Sequence, residues 1–324
     1  MVQTVLIYSM GEVIGDGLIK LPFIAGLRAA FPDARISWCA AKGETVYAGP
    51  LKGVVAGYVD EVILEGANGA APLDSLPWSR PFGGRRFDLV IDTQENLRRS
   101  GVARRGAADR FISAAHQARG KDWPVAVTDR LARLLALATD GQGAPKPLAL
   151  SDPDALKAAE ALLPAGPTYV GLAPGAGGQD KRWPLENYLE LARRIAANGW
   201  TPVFFFGPDE AEDAAVAARE IPLALQPERN RTDGFDGVKG PLLVIALAGR
   251  LAAGVANDAG PGHMLAAGGA RLLSLQHDRR KSVKFRPAAQ RLEMVVAEDY
   301  GSGMGALPVD VVWGALQKLV SGAS

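Results

Sequence analysis

The chain has 324 residues, 48% hydrophobic and 22% charged, which supplies apolar surface for two ordinary domains and excludes a disordered chain. Thirty-six basic residues against 35 acidic ones leave a net charge of +1, so no global field draws the protein to nucleic acid. The single cysteine, Cys39, excludes an intramolecular disulfide and a cysteine-rich zinc site.

Taken in chain order, strand and helix patterns alternate. Residues 4–8 read as a short apolar strand entered almost at once, without a basic leader segment. Residues 18–31 read as a helix with one apolar face. Residues 35–40, 59–64 and 87–92 read as strands, and 126–139 as a helix. Such alternation predicts a parallel sheet covered on both faces. Glycine and proline then dominate residues 140–147, which read as a linker and divide the chain into domains over 1–150 and 151–308. Beyond it, 154–163 and 185–198 read as helices. Residues 169–173, 202–206, 255–257, 271–275 and 292–296 read as strands, and 309–320 as a closing helix. The expected fold class is α/β: two Rossmann-like doubly wound domains facing a central cleft, with ligands at the carboxyl ends of strands. No apolar run reaches the length of a membrane span. The expected compartment is the cytoplasm, with peripheral contact at the inner face of the membrane allowed.

Two turns carry the chemistry. Gly171 to Pro184 reads as a strand, a glycine-rich loop containing Gly175 and Ala176, the cations Lys181 and Arg182, and a helix opened by proline. Such a loop lets backbone N–H groups approach a phosphate, and the helix start favours an anion. Asn257-Asp258-Ala259-Gly260-Pro261-Gly262-His263 is a second turn of this kind. Two in one half of the chain suggest a diphosphate-bearing ligand such as a sugar nucleotide.

Four segments, in order, resemble glycosyltransferase family 9, the bacterial lipopolysaccharide heptosyltransferases. They are Gly15-Asp16 with Leu21-Pro22; residues 91–100, from Ile91 to Ser100; Pro174-Gly175-Ala176 with Lys181-Arg182-Trp183-Pro184; and Asp258 to His263 with Ala266-Ala267. The resemblance implies a GT-B fold with the acceptor on the first domain and the nucleotide-sugar on the second. It also implies inversion at the anomeric carbon without a metal ion, no cofactor besides the donor substrate ADP-heptose, and a last helix, 309–320, returning to the first domain.

By the same resemblance Asp16 is the general base that takes the acceptor hydroxyl's proton. An aspartate ahead of a helix reads equally as an N-cap. Glu12, in Ser9-Met10-Gly11-Glu12, is a competing Gly-acid element whose distance to Leu21-Pro22 is wrong for the family. Lys181 and Arg182 would bind the donor diphosphate, because cations beside a helix start are unfavourable unless an anion lies near. Asp258 would accept sugar hydroxyls or cap its turn. Gly260, Gly262 and His263 would hold phosphate, though a histidine packed in a turn is an equal reading of His263. A basic run holding Arg98, Arg99, Arg104 and Arg105 suits an anionic glycolipid acceptor, or forms a solvated face. It lacks the interleaved aromatics of a single-strand nucleic-acid groove. No dinucleotide fingerprint or Walker-type motif is present, and His116 and His277 lack zinc spacing.

Two segments depart from the family pattern on the donor side. The helix reading Pro241 to Ala248 is apolar where family members often carry an acidic residue against the donor ribose, and Gln276 to Lys281 replaces a Phe-Gly and Pro-Thr turn. Competing readings are a transferase using a UDP-hexosamine, a sugar-nucleotide epimerase, or a sugar-nucleotide-binding protein without turnover.

Overall fold

The computed structural model describes residues 2–64, 76, 78–231 and 233–322. It divides into two compact units, Met1–Leu148 and Ala149–Ser324.

The first unit comprises β1 (Thr4–Ser9), α1 (Ile14–Ala30), β2 (Arg35–Ala40), β3 (Glu61–Ile63), β4 (Phe87–Asp92), α2 (Leu97–Arg104), β5 (Ala107–Ser113), α3 (Ala114–Gln117) and α4 (Val127–Ala138). Its sheet is parallel with order β3-β2-β1-β4-β5. The central strands are apolar runs covered on both faces: Val5, Leu6 and Ile7 of β1 and Leu89, Val90 and Ile91 of β4 are fully buried. β5 hides in the basic run. As an edge strand it keeps Asp109 exposed and carries charges that block pairing with another chain, so it has no apolar period to read. α1 starts four residues earlier than its apolar face suggests, because its first turn, Ile14-Gly15-Asp16-Gly17, is half glycine and carries no apolar stripe. The Gly/Pro segment is docked on this unit rather than hanging free. Lys146 N–H donates to Pro22 O at 3.0 Å, and a Cβ on Gly26 would sit 2.4 Å from Ala144 O. The absence of a side chain at Gly26 is what admits the segment. Burial pushes the Cys39 thiol up to about 12, so it is an inert core residue.

The second unit comprises α5 (Pro153–Leu162), β6 (Tyr169–Ala173), α6 (Leu185–Ala197), β7 (Thr201–Phe204), α7 (Ala211–Glu220), α8 (Pro241–Ala248), β8 (Ala253–Asn257), α9 (Gly260–Ala267), β9 (Leu272–Gln276), α10 (Arg279–Lys284), β10 (Leu292–Val296) and α11 (Val309–Ser321). The parallel sheet has the order β10-β9-β8-β6-β7. One core lies between the sheet and α6, α7 and α11; the other lies under α5, α8 and α9.

The closing helix, α11, is built into the second unit. Val312, Leu316 and Leu319 are buried in one core with Trp183, Leu191, Ile195 and Val295. Arg194 pairs with Asp310 at 2.6 Å, and Arg271 Nη1 donates to Leu319 O at 3.0 Å. The apolar stripe of α11 is satisfied where it stands. Among the described residues no helix is long and apolar enough to cross a membrane.

Candidate active site

In a doubly wound sheet the crossovers run to opposite faces on either side of one point, leaving a crevice at the carboxyl ends of the two strands there. The strand orders put this point between β1 and β4 in the first unit, and between β6 and β8 in the second. The family-like motifs occupy these four loops.

At the first switch point a cavity of about 510 Å³ opens over the ends of β1, β4 and β5. Ser9, Lys20, Gln94, Arg99, Trp123 and Leu131 are among the residues that line it. Asp92, at the end of β4, is fully buried beneath it. It accepts Gln94 N–H at 3.0 Å and Ser113 Oγ–H at 3.2 Å, and the Ser113 and Ser100 hydroxyls are 2.5 Å apart. Burial raises the Asp92 carboxyl to about 6 against these hydrogen bonds.

Asp16 lies inside the first turn of α1 and is exposed. The N-cap is Val13 and no side chain caps the helix, so the capping reading of Asp16 falls away. Glu12 is placed differently: its side chain is 1% exposed and it pairs with Lys20 Nζ at 2.9 Å. A carboxylate so enclosed has no route to a substrate proton. Lys20 Nζ also donates to Ser9 Oγ at 2.9 Å. Burial lowers the Lys20 pKa, and Glu12 acts against that shift.

The structure places the arginines of the basic run in different surroundings. Arg99 reaches the cavity, donating to Gln94 Oε1 at 3.4 Å and touching Met10 Sδ. Arg98 is exposed, and Arg104 is exposed with its guanidinium 5.5 Å from the Phe111 ring. Arg105 binds Leu76 O and Ser79 Oγ. Neither Arg98, Arg104 nor Arg105 lines the cavity. Arg130, which the sequence did not mark, does. It pairs with Glu95 at 2.6 Å, and Trp123 Nε1 donates to the same oxygen at 2.9 Å. Its only sequence signal was a helix with arginines beside its apolar stripe.

At the second switch point Asn257 joins the two turns. Its Oδ1 accepts Trp183 N–H at 3.1 Å, and its Nδ2 donates to Pro174 O at 2.6 Å. The loop after β6 is thereby stapled to the end of β8. Lys181 stands in a short 3-10 turn (Gln179–Lys181), and Pro184 is the N-cap of α6, which begins at Leu185 as the sequence suggests. Lys181 Nζ is 3.6 Å from Asp258 Oδ2. His263, in the first turn of α9, is buried and its Nδ1 has no hydrogen-bond partner among the described residues. Burial, then the nearby Lys181 charge, pushes the imidazole down to about 4, so it is neutral at physiological pH. Arg182 turns inward: its Nε and Nη2 donate to Ala176 O at 3.1 and 2.9 Å, and it lies 3.6 Å from Glu210. Gly175 packs against that carboxylate, where a Cβ would meet Glu210 Oε1 at 2.2 Å. Gly262 lets α9 approach β8, with a Cβ 3.2 Å from Asn257 O. Gly260 opens α9, which Ala259 leaves without a side-chain cap. The structure thus brings Lys181, Asp258 and His263 together at the N-terminus of α9, which has no side-chain cap, and assigns Arg182 to the loop itself. Glu210, which pins that loop, was not apparent from the sequence. Among the described residues no group of three histidines, cysteines or carboxylates is placed to hold a metal ion.

Two parallel doubly wound units, each with motif-bearing turns at its switch point, define an α/β protein of two Rossmann-like domains. The model of glycosyltransferase family 9 (heptosyltransferase) matches residues 78–303, and the chain belongs to that family and is a glycosyltransferase. No curated protein sequence matches it. Its fold is shared with a family 9 glycosyltransferase from Veillonella parvula DSM 2008, at 18% identity and TM-score 0.71, over 99% of this chain and 98% of that one. It is shared too with E. coli ADP-heptose lps heptosyltransferase II, at 18% identity and TM-score 0.65 over 99% of both chains. E. coli heptosyltransferase WaaC with ADP stands at the same identity, TM-score and coverage. These structures are GT-B glycosyltransferases, and this chain has their fold.

Proposed function

We propose that the chain is an inverting, metal-independent transferase that moves heptose from ADP-heptose to an anionic glycolipid of the cell envelope. The observation that carries this reading is the Asn257 staple, which sets Lys181, Asp258 and neutral His263 beside the N-terminus of α9 in a member of a heptosyltransferase family. A structural neighbour holds ADP.

Asp16 acts as general base. An exposed, uncapped carboxylate can take the acceptor hydroxyl's proton as its oxygen attacks the anomeric carbon and the bond to the diphosphate breaks. Lys181, the N–H groups of Gly260 and Gly262 and the His263 ring stabilise the charge gathering on the leaving diphosphate, the His263 N–H being donated to Ala259 O. Gly175 and Ala176 shape the loop that faces it, with Arg182 holding the loop in place. Asp258 accepts a sugar hydroxyl once Lys181 turns to phosphate. Arg99 serves the acceptor.

Asp16→Ala is expected to lower kcat about 10²–10⁴-fold, the ordinary worth of a general base, while ADP still raises the melting temperature. Undiminished turnover in that variant would refute the mechanism. The apolar α8 keeps a second donor in view. It buries Leu243 to Ala248 and offers no carboxylate to a ribose. Melting shifts with matched ADP, UDP, GDP, CDP and dTDP decide between donors: an ADP preference supports ADP-heptose, and a UDP preference moves the function to another sugar.

A further inference from the structure

We propose that Lys20, backed by Glu12, is a positioning residue for the general base: the buried pair ties the first turn of α1 to the end of β1 and so sets where Asp16 stands. The inference rests on the reading of Asp16 as that base.

Asp16 stands on a turn that does little to hold itself. The side chain is exposed, and no side chain caps α1. Two of the four residues of the turn, Gly15 and Gly17, are glycines, which cost a helix order. The order comes from outside the turn. Lys20 lies one helical turn further on, on the same face as Asp16. Its Nζ donates to Ser9 Oγ, at the end of β1, and to Glu12 Oε1, in the loop that follows, at 2.9 Å each. One ammonium thereby ties the strand, the loop and the helix that the loop feeds. The chain after β2 holds the same loop by its backbone: Gly11 N–H donates to Lys42 O at 2.8 Å and Glu12 N–H to Glu44 O at 3.2 Å. Tyr47 Oη–H donates to Gly17 O at 2.7 Å, inside the turn of Asp16.

Stability does not account for the pair. The Glu12 side chain is 1% exposed and that of Lys20 13%, and the ammonium lies 5.3 Å from the centre of the Trp38 ring. Glu12 Oε2 has no hydrogen-bond partner among the described residues. Taking two charges out of water is costly, and exchanging such a pair for apolar groups of similar size is often neutral or stabilising. Apolar groups would fill this space equally well, but they could not bond Ser9 and the loop at fixed lengths. Burial works against the Lys20 ammonium, and the carboxylates of Glu12 and then Asp16 favour it, so Glu12 is what keeps the charge in place.

The test is a mutant cycle on the full chain, read as ADP release from ADP-heptose with de-acylated, heptose-free lipopolysaccharide as acceptor. Lys20→Met combined with Glu12→Gln removes the pair without stranding a charge. It is expected to lower kcat about tenfold to hundredfold, as a small displacement of a catalytic group does, with the KM for ADP-heptose and the melting temperature held. Added to Asp16→Ala, the same two substitutions are expected to change kcat by less than about twofold, because the group they position is gone. Ser9→Ala takes one anchor from the ammonium and leaves the ion pair. It is expected to move kcat the same way by less, and it carries the test should the first variant not fold. A fall in melting temperature with equal loss of kcat in both backgrounds means a structural pair and overturns the proposal, as does wild-type kcat without the pair. A second readout needs no turnover. The single cysteine, Cys39, is buried, so Asp16→Cys offers one accessible thiol to a nitroxide label. The label is expected to move slowly with the pair present and faster without it. An equally slow label in an Asp16→Ala-sensitive enzyme removes this proposal alone. A loosened label beside undiminished turnover of Asp16→Ala removes the general-base reading and this proposal with it.

Discussion

At the scale of single residues, the two switch points each rest on a buried carboxylate that touches no substrate in the proposed reaction. Asp92 organises the loop after β4 by accepting Gln94 N–H and Ser113 Oγ–H. A carboxyl held at about 6 against an ordinary 3.8 binds its proton more tightly folded than unfolded. Its contribution therefore favours the folded state at low pH and is lost as pH rises from about 4 to about 6, reaching at most about 3 kcal/mol at neutral pH. Asp92→Asn keeps the acceptor for Gln94 and removes that charge. The variant is expected to be more stable than wild type at pH 7, with the gap closing as pH falls through this window in urea titrations at several pH values. A gap independent of pH would show that Asp92 does not titrate there. Glu210 plays the corresponding part in the second unit, accepting Gly207 N–H at 2.8 Å while lying against Gly175. Gly175→Ala forces that carboxylate aside. A loss of about 1–3 kcal/mol in stability and a smaller ADP-induced melting shift are expected.

At the scale of elements, the staple tests how the donor loop is held. Asn257→Ala strands Trp183 N–H, a buried backbone donor, and frees Pro174 O. The expected cost is about 1–3 kcal/mol, with ADP affinity falling more than acceptor affinity in binding titrations. Equal loss at both sites would mean general destabilisation. The same elements mark what the sequence can disclose. β1, β4, β6 and β8 were legible because strands buried on both faces are near-continuous apolar runs, and the glycine turns following β6 and β8 announce themselves. β5 and the true start of α1 were not, because an edge strand and a glycine-rich first turn carry no hydrophobic period. The site divides the same way. Lys181, Asp258 and His263 could be found as a motif, since contiguous turns bring them together. Lys20, Gln94, Trp123 and Arg130 meet only because β1, β4 and α4 converge, and their pairing depends on contacts far apart in the chain.

At the scale of the whole molecule, each unit carries its own sheet and its own cores, which makes the second one separable. The place of α11 decides where that unit ends. Val312 and Leu316 are fully buried and Leu319 nearly so, all against residues of the same unit, and Trp183 Nε1 donates to Leu307 O at 2.9 Å just before the helix. Trp183 is also the residue whose N–H closes the staple, so the last stretch of chain supports the donor loop directly. A fragment of residues 149–324 is expected to unfold cooperatively and to show an ADP-induced melting shift close to that of the full chain. Ending the fragment at residue 308 removes two buried leucines and a buried valine. At about 2–5 kcal/mol for each large apolar side chain lost from a core, this exceeds the margin of an ordinary domain. That shorter fragment is expected to lose cooperative unfolding and the ADP shift together. Were α11 serving the first unit instead, the two fragments would melt alike and bind ADP alike.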